Sequence, residues 1–112
     1  MSIRSQVLLW SLQRASAAIL ALCVVVHLIT MIYAVRHGLS AAEILGRTRG
    51  SFAWLAFYAM FVAAIAIHAP IGLRTIIAET LGRRGAALDV AMLATGIALA
   101  LWGWRAVCAV FA

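Results

Sequence analysis

SFAWLAFYAMFVAAIAIHAPI, residues 51–71, contains no Asp, Glu, Lys or Arg. At 1.5 Å per residue, a helix of this length clears the ~30 Å hydrocarbon core of a bilayer. Two further apolar runs match it, Ala15 to Val35 and Ala86 to Phe111. Together they predict an all-α integral membrane protein with transmembrane helices over about 15–36, 51–78 and 87–110, forming one domain over residues 1–112. An odd number of spans leaves the two ends of the segment on opposite sides.

Composition supports the same solvent. The 112 residues are 67% hydrophobic and 11% charged, with mean hydropathy +1.11, whereas soluble domains are roughly half apolar and a quarter charged. The formal charge of +6 comes from arginines, set against Glu43, Glu79 and Asp89. These arginines flank the spans as headgroup anchors and form no patch large enough for nucleic acid. Cys23 and Cys108 lie in different apolar runs without CxxC spacing and read as small hydrophobes.

Between the runs the signals are those of helix ends. Residues 1–14 read as an amphipathic entry segment with Trp10 at the interface. The first run starts late, behind Arg4 and Arg14, and lacks a small-residue cleavage site, so it is expected to span rather than act as a removable signal. Arg36-His37-Gly38 stops the first helix, and Ser40-Ala-Ala-Glu43 has the spacing of a capping box for a short surface helix. Gly82-Arg83-Arg84-Gly85 forms the second turn, and Asp89 falls in the first turn of the third helix, where the helix dipole favours a carboxylate. Trp102, Trp104 and Arg105 make a second interfacial belt. Arg4, Arg14, Arg74, Arg83 and Arg84 share one side, against Arg36, Arg47, Arg49 and Arg105 on the other, which favours a cytoplasmic N-terminus.

Ionisable groups at hydrocarbon depth are expensive and point to function. His27 and His68 are such groups. A neutral imidazole in a helix bundle is a usual axial ligand of b-type haem, and equally a core side chain hydrogen-bonded to its neighbour. Around His68 the sequence is Ala64-Ile-Ala-Ile-His68-Ala-Pro70-Ile-Gly72-Leu-Arg74. Ala64, His68, Gly72 and Thr75 share one face, which would let a flat macrocycle approach the backbone, or another helix pack closely. Pro70 removes the hydrogen bond to the Ala66 carbonyl and should kink the helix there. Arg74 lies ~9 Å along the axis from His68, within reach of a haem propionate or an anionic headgroup. His37 lies at the interface, where it is expected to be solvated.

His68-Ala-Pro70-Ile-Gly72-Leu-Arg74 resembles the His-x-x-x-Gly-x-Arg element of the cytochrome b membrane-anchor subunits of succinate dehydrogenase and fumarate reductase, the complex II family. Gln13-Arg14-Ala15-Ser16-Ala17 is similar to the His-Arg-x-Ser-Gly that opens the first helix of the larger anchor subunit. His-Ala-x-Ile-Gly and Arg-Ala-Ser-Ala also resemble the smaller anchor subunit, whose quinone tyrosine would fall at Thr80. The resemblance covers nearly the whole chain. It implies one half of a haem-binding helical bundle, with His68 as an axial ligand of haem b. It places Arg14, Arg74, Ser11 and Glu79 near the haem propionates and a ubiquinone or menaquinone. The chain departs from the family pattern at Gln13, Ala17 and Thr75, which replace a histidine, a glycine and a histidine. Trp10 stands where a quinone-contacting serine would be.

His27 lies ~20 Å inward of Arg14, against ~9 Å for His68 inward of Arg74. The two should not share one iron. The second ligand of the His68 haem would come from a partner chain, and His27 would be either the ligand of a second haem or a structural histidine. The implied role is that of a non-catalytic subunit, working with a second anchor subunit, an iron–sulfur subunit and a flavoprotein in a bacterial cytoplasmic membrane. A small helical transporter would also be short and basic, but such proteins carry a carboxylate at the membrane midplane, and Glu43, Glu79 and Asp89 all lie at span edges. A haem-free structural anchor would keep the helices without a use for His68.

Overall fold

The computed structural model describes residues 2–112 and is helical almost throughout: α1 (Ile3–Arg36), α2 (Ala41–Thr48), α3 (Phe52–Leu81) and α4 (Ala86–Phe111). Three of them, α1, α3 and α4, are long and apolar enough to cross a membrane. The structure differs from expectation at the N-terminus, where residues 3–14 continue α1 rather than forming a separate entry segment. The cause is local. Ser2 caps the helix by accepting a hydrogen bond from the Ser5 N–H, and no Gly or Pro interrupts the chain before Arg36. Propagating a nucleated helix costs little.

Most helix ends are satisfied by chemistry written in the sequence; the start of α4, at Gly85, has no side-chain cap. Ser40 and Glu43 form the full capping box that starts α2. Gly38 and Gly82 take positive φ, 61° and 63°, immediately after α1 and α3, a conformation that glycine adopts without steric cost. At the end of α4, the Gly50 N–H donates to the Phe111 carbonyl at 2.9 Å and the Thr48 hydroxyl to the Val110 carbonyl at 2.8 Å. Two terminal carbonyls of α4 are thereby paired from the α2–α3 connection. Phe52 and Phe111 pack beside them.

α3 is the central helix, packed on α1 along one side and on α4 along the other. Against α4 the fit depends on two glycines one heptad apart. A Cβ on Gly103 would lie 2.5 Å from Val62 Cγ1, and one on Gly96 would lie 3.1 Å from the Ala66 carbonyl oxygen. That carbonyl is the one Pro70 leaves without its helical N–H. Despite the proline, α3 runs unbroken from Phe52 to Leu81, with Pro70 buried against Gly96. Small residues that let helix backbones approach are the usual adhesive of membrane bundles, since lipid tails are as apolar as the side chains.

Replacing Gly103 by Ala should therefore destabilise the bundle by about 1–3 kcal/mol, as overpacking against a stiff β-branched neighbour does. Thermal unfolding in mild detergent measures this. The double variant with Val62→Ala should recover a substantial part of the loss, and a tolerated Gly103→Ala would show that the helices part freely.

Candidate functional site

The face of α3 that carries His68 is not open. α1 lies across it, bringing Gln13 to Gly72 and Ser16 to His68. A Cβ on Gly72 would sit 3.2 Å from Gln13 Nε2, and Ala64 and Ser16 are buried. Of the two uses open to this small-residue face, the structure shows helix packing; a macrocycle flat against Ala64 and Gly72 would have to displace α1.

His68 itself is half-buried, and its Nδ1 stands 3.4 Å from Ser16 Oγ. The Ser16 hydroxyl hydrogen is directed at the Gln13 carbonyl, 3.2 Å away. With its one hydrogen committed, Ser16 Oγ is left to accept from the imidazole. In that arrangement Nδ1 carries the proton and the Nε2 lone pair is available; the reverse tautomer would have Ser16 donate to Nδ1. Metal-binding histidines show this arrangement, with the second nitrogen tied to an acceptor. Among the described residues, no three His, Cys, Asp or Glu side chains gather as a metal site.

At the N-terminal end of α1, and beginning at Ile71 about one helical turn beyond His68, lies a cleft of about 460 Å³ lined by Trp10, Gln13, Arg74, Thr75, Glu79 and Arg84 among others. Its volume falls in the range of small-molecule sites. Two guanidinium groups and one carboxylate border it. Gln13 Oε1 is buried with no hydrogen-bond partner, an exception that calls for a donor from water or a ligand. Arg14 and Ser11 are exposed on another flank of α1. Arg14 nevertheless reaches the rim, with its guanidinium 5.5 Å from the ring centre of Trp10.

Sequence reasoning missed how Arg74 is held. Its Nε donates to Asp89 Oδ1 at 2.8 Å, an ion pair that ties α3 to α4. The arginine is 17% exposed and the aspartate 44%. Asp89 is thus both a first-turn carboxylate on the α4 dipole and the counter-ion of a cleft residue. Nothing within either helix pattern pairs these residues, fifteen positions apart across a turn. Nε is one of five guanidinium N–H donors, so the pair fixes the orientation of Arg74 without consuming it.

His27 stands eleven residues beyond Ser16 on α1, ~16 Å further along the axis. Its Nδ1 lies 3.4 Å from the Tyr58 hydroxyl, and its ring meets the edges of Tyr58 and Phe61. His27 and His68 thus occupy different levels of the bundle.

The profile of the family described as succinate dehydrogenase/fumarate reductase transmembrane subunit matches residues 1–103. The chain belongs to that family, and it is a membrane-anchor subunit of complex II type that associates with the membrane and with other subunits of its complex. No curated protein and no solved structure gives a significant match.

Asp89 is nearly half exposed, so screening limits what its ion pair contributes. Asp89→Asn should lower stability by at most about 1 kcal/mol. Unfolding compared at low and high salt should show the difference shrinking as salt rises. A loss of several kcal/mol, insensitive to salt, would mean that the pair is desolvated in the assembled complex.

Proposed function

We propose that this subunit binds haem b between α3 and a second anchor subunit, with His68 Nε2 as one axial ligand, and that the cleft beside it receives the head of a quinone. The observation that carries the reading is the Ser16–His68 contact. With Ser16 accepting from Nδ1–H, the contact orients the imidazole and leaves Nε2 free, which supports a haem-ligating role. Haem, when bound, supplies a one-electron redox station near the quinone.

The residues of the chain have distinct tasks in this scheme. Ser16 holds the tautomer of His68. Arg74, fixed by Asp89, and Arg14, resting on Trp10, supply positive charge where propionate carboxylates or a partly reduced quinone oxygen would carry negative charge. Gln13 Oε1, a buried acceptor without a donor, is positioned to take a hydrogen bond from a quinol hydroxyl. Reducing a quinone to a quinol requires two electrons and two protons. The electrons come from an iron–sulfur partner. Glu79, exposed at the cleft border, is the nearest carboxylate to relay protons from water. Dicarboxylate chemistry belongs to a flavoprotein partner, and five arginines at this end against four at the other favour a cytoplasmic side in a bacterial membrane.

His27 takes the structural role here. Tyr58 and Phe61 enclose its ring edge-on, and Nδ1 has the Tyr58 hydroxyl beside it. A haem-free anchor remains the second reading, favoured by the packing of α1 over Ala64, His68 and Gly72.

A reduced-minus-oxidised spectrum of the purified complex separates the two. His68→Ala should abolish or greatly weaken the b-type band in an assembled complex, and a full haem complement in that variant would refute the ligand role. Arg74→Leu should raise KM for quinone about tenfold or more, the loss of a charge-assisted hydrogen bond worth ~1.5–3 kcal/mol. Unchanged quinone kinetics would remove Arg74 from the site.

A further inference from the structure

A larger cleft, about 740 Å³, opens at the opposite end of the bundle, between the second half of α1, the surface helix α2 and the start of α3. None of the residues proposed above to hold the haem at His68 or the quinone borders it, and His27, read above as structural, lies at its inner end. We propose that it is a binding site for one anionic phospholipid, with an acyl chain in the cleft and the phosphate on Arg47.

The walls are suited to a hydrocarbon chain. Ile29, Met31, Leu39 and Ile44 supply apolar surface, and Trp54 and Tyr58 close the α3 side. At the inner end the hydroxyls already have partners within the protein. Thr30 donates to the His27 carbonyl at 2.7 Å, and the Tyr58 hydroxyl lies 3.4 Å from His27 Nδ1. A methylene chain therefore strands no hydroxyl there, which would be costly in a dry site.

The mouth is suited to a phosphate. Arg47 holds its guanidinium 5.4 Å from the ring centre of Tyr33, which also stacks with His37 at 4.1 Å. A cation fixed on an aromatic face keeps its in-plane N–H donors free for an anion. The acid nearest in sequence, Glu43, is engaged with Ser40 in the capping box. Among the described residues, Arg47 has no carboxylate within ion-pair distance. Arg36, Arg49 and Arg105 add positive charge at the same end of the bundle.

The length of the cleft argues against a helix of another chain as occupant. From His27 to Ala34 it follows α1 for ~10 Å, and α2 walls its interface end through Ile44, Arg47 and Thr48. That is two helical turns, closed on one side. A lipid needs only to enter from the membrane.

The test uses the complete complex in vesicles containing a minority of phosphatidylglycerol in phosphatidylcholine. A photoreactive diazirine is placed on the acyl chain of one lipid or the other, at identical overall composition. Adducts are mapped by peptide mass spectrometry. Per mole of labelled lipid, phosphatidylglycerol should label Met31, Ile44 and Trp54 about fivefold more than phosphatidylcholine does, a ratio that corresponds to ~1 kcal/mol per basic residue near the surface. Exposed Ile97 and Leu101 on α4 should show little preference. Arg47→Gln should erase the preference at the cleft alone, and Arg47→Lys should keep most of it. Haem content and assembly verify that both variants fold. Equal labelling by the two lipids overturns the proposal. So does absence of label in the cleft while Ile97 is labelled, which would mean that a partner chain fills it. A second b-type spectral component lost in His27→Ala would also overturn it, assigning the cleft to a porphyrin.

Discussion

Hydrocarbon offers no hydrogen-bond partner to a peptide group, and every long element of this protein answers that constraint. The three spans satisfy their backbones internally, and their ends carry Ser2, Ser51, Gly38, Gly82 and the Thr48 and Gly50 bonds to the last carbonyls of α4. Pro70 creates the one deliberate exception inside a span. The carbonyl it frees on Ala66 faces Gly96, so the point where α3 gives up a hydrogen bond is also one where a glycine lets α4 come close. Since α3 also carries His68 and Arg74, the same packing positions the candidate haem ligand.

Once apolar burial cannot distinguish protein from lipid, close packing and a few polar contacts must hold the helices together. α4 uses Gly96 and Gly103 against α3, and α1 uses Gln13 and Ser16 against Gly72 and His68. The Arg74–Asp89 pair adds a charged clasp at the interface end, where water still reaches both side chains and the desolvation cost is small. Small residues beside His68 thus leave room for a neighbouring helix, and that helix supplies the serine that orients the imidazole.

The two ends of the bundle differ in kind. At the N-terminal end of α1, Arg74 and Arg84, Glu79 and the unpaired Gln13 oxygen make a polar cleft beside His68. At the other end the polar side chains are spent on one another, and a mostly apolar cleft is left with Arg47 at its mouth. This difference separates a site fitted to a reacting head group from one fitted to a chain.

Hydropathy, capping patterns and two short motifs determined the number of spans, the surface helix, the family and the singling out of His68, because each of these is a property of one segment and its local periodicity. Tertiary structure decided which helix covers His68, that Ser16 is its partner, and that Arg74 is clasped by Asp89. Such facts depend on the rotation and register of one helix against another. In a membrane these are set by where glycines and small polar groups allow close approach, a relation between segments that no single segment contains.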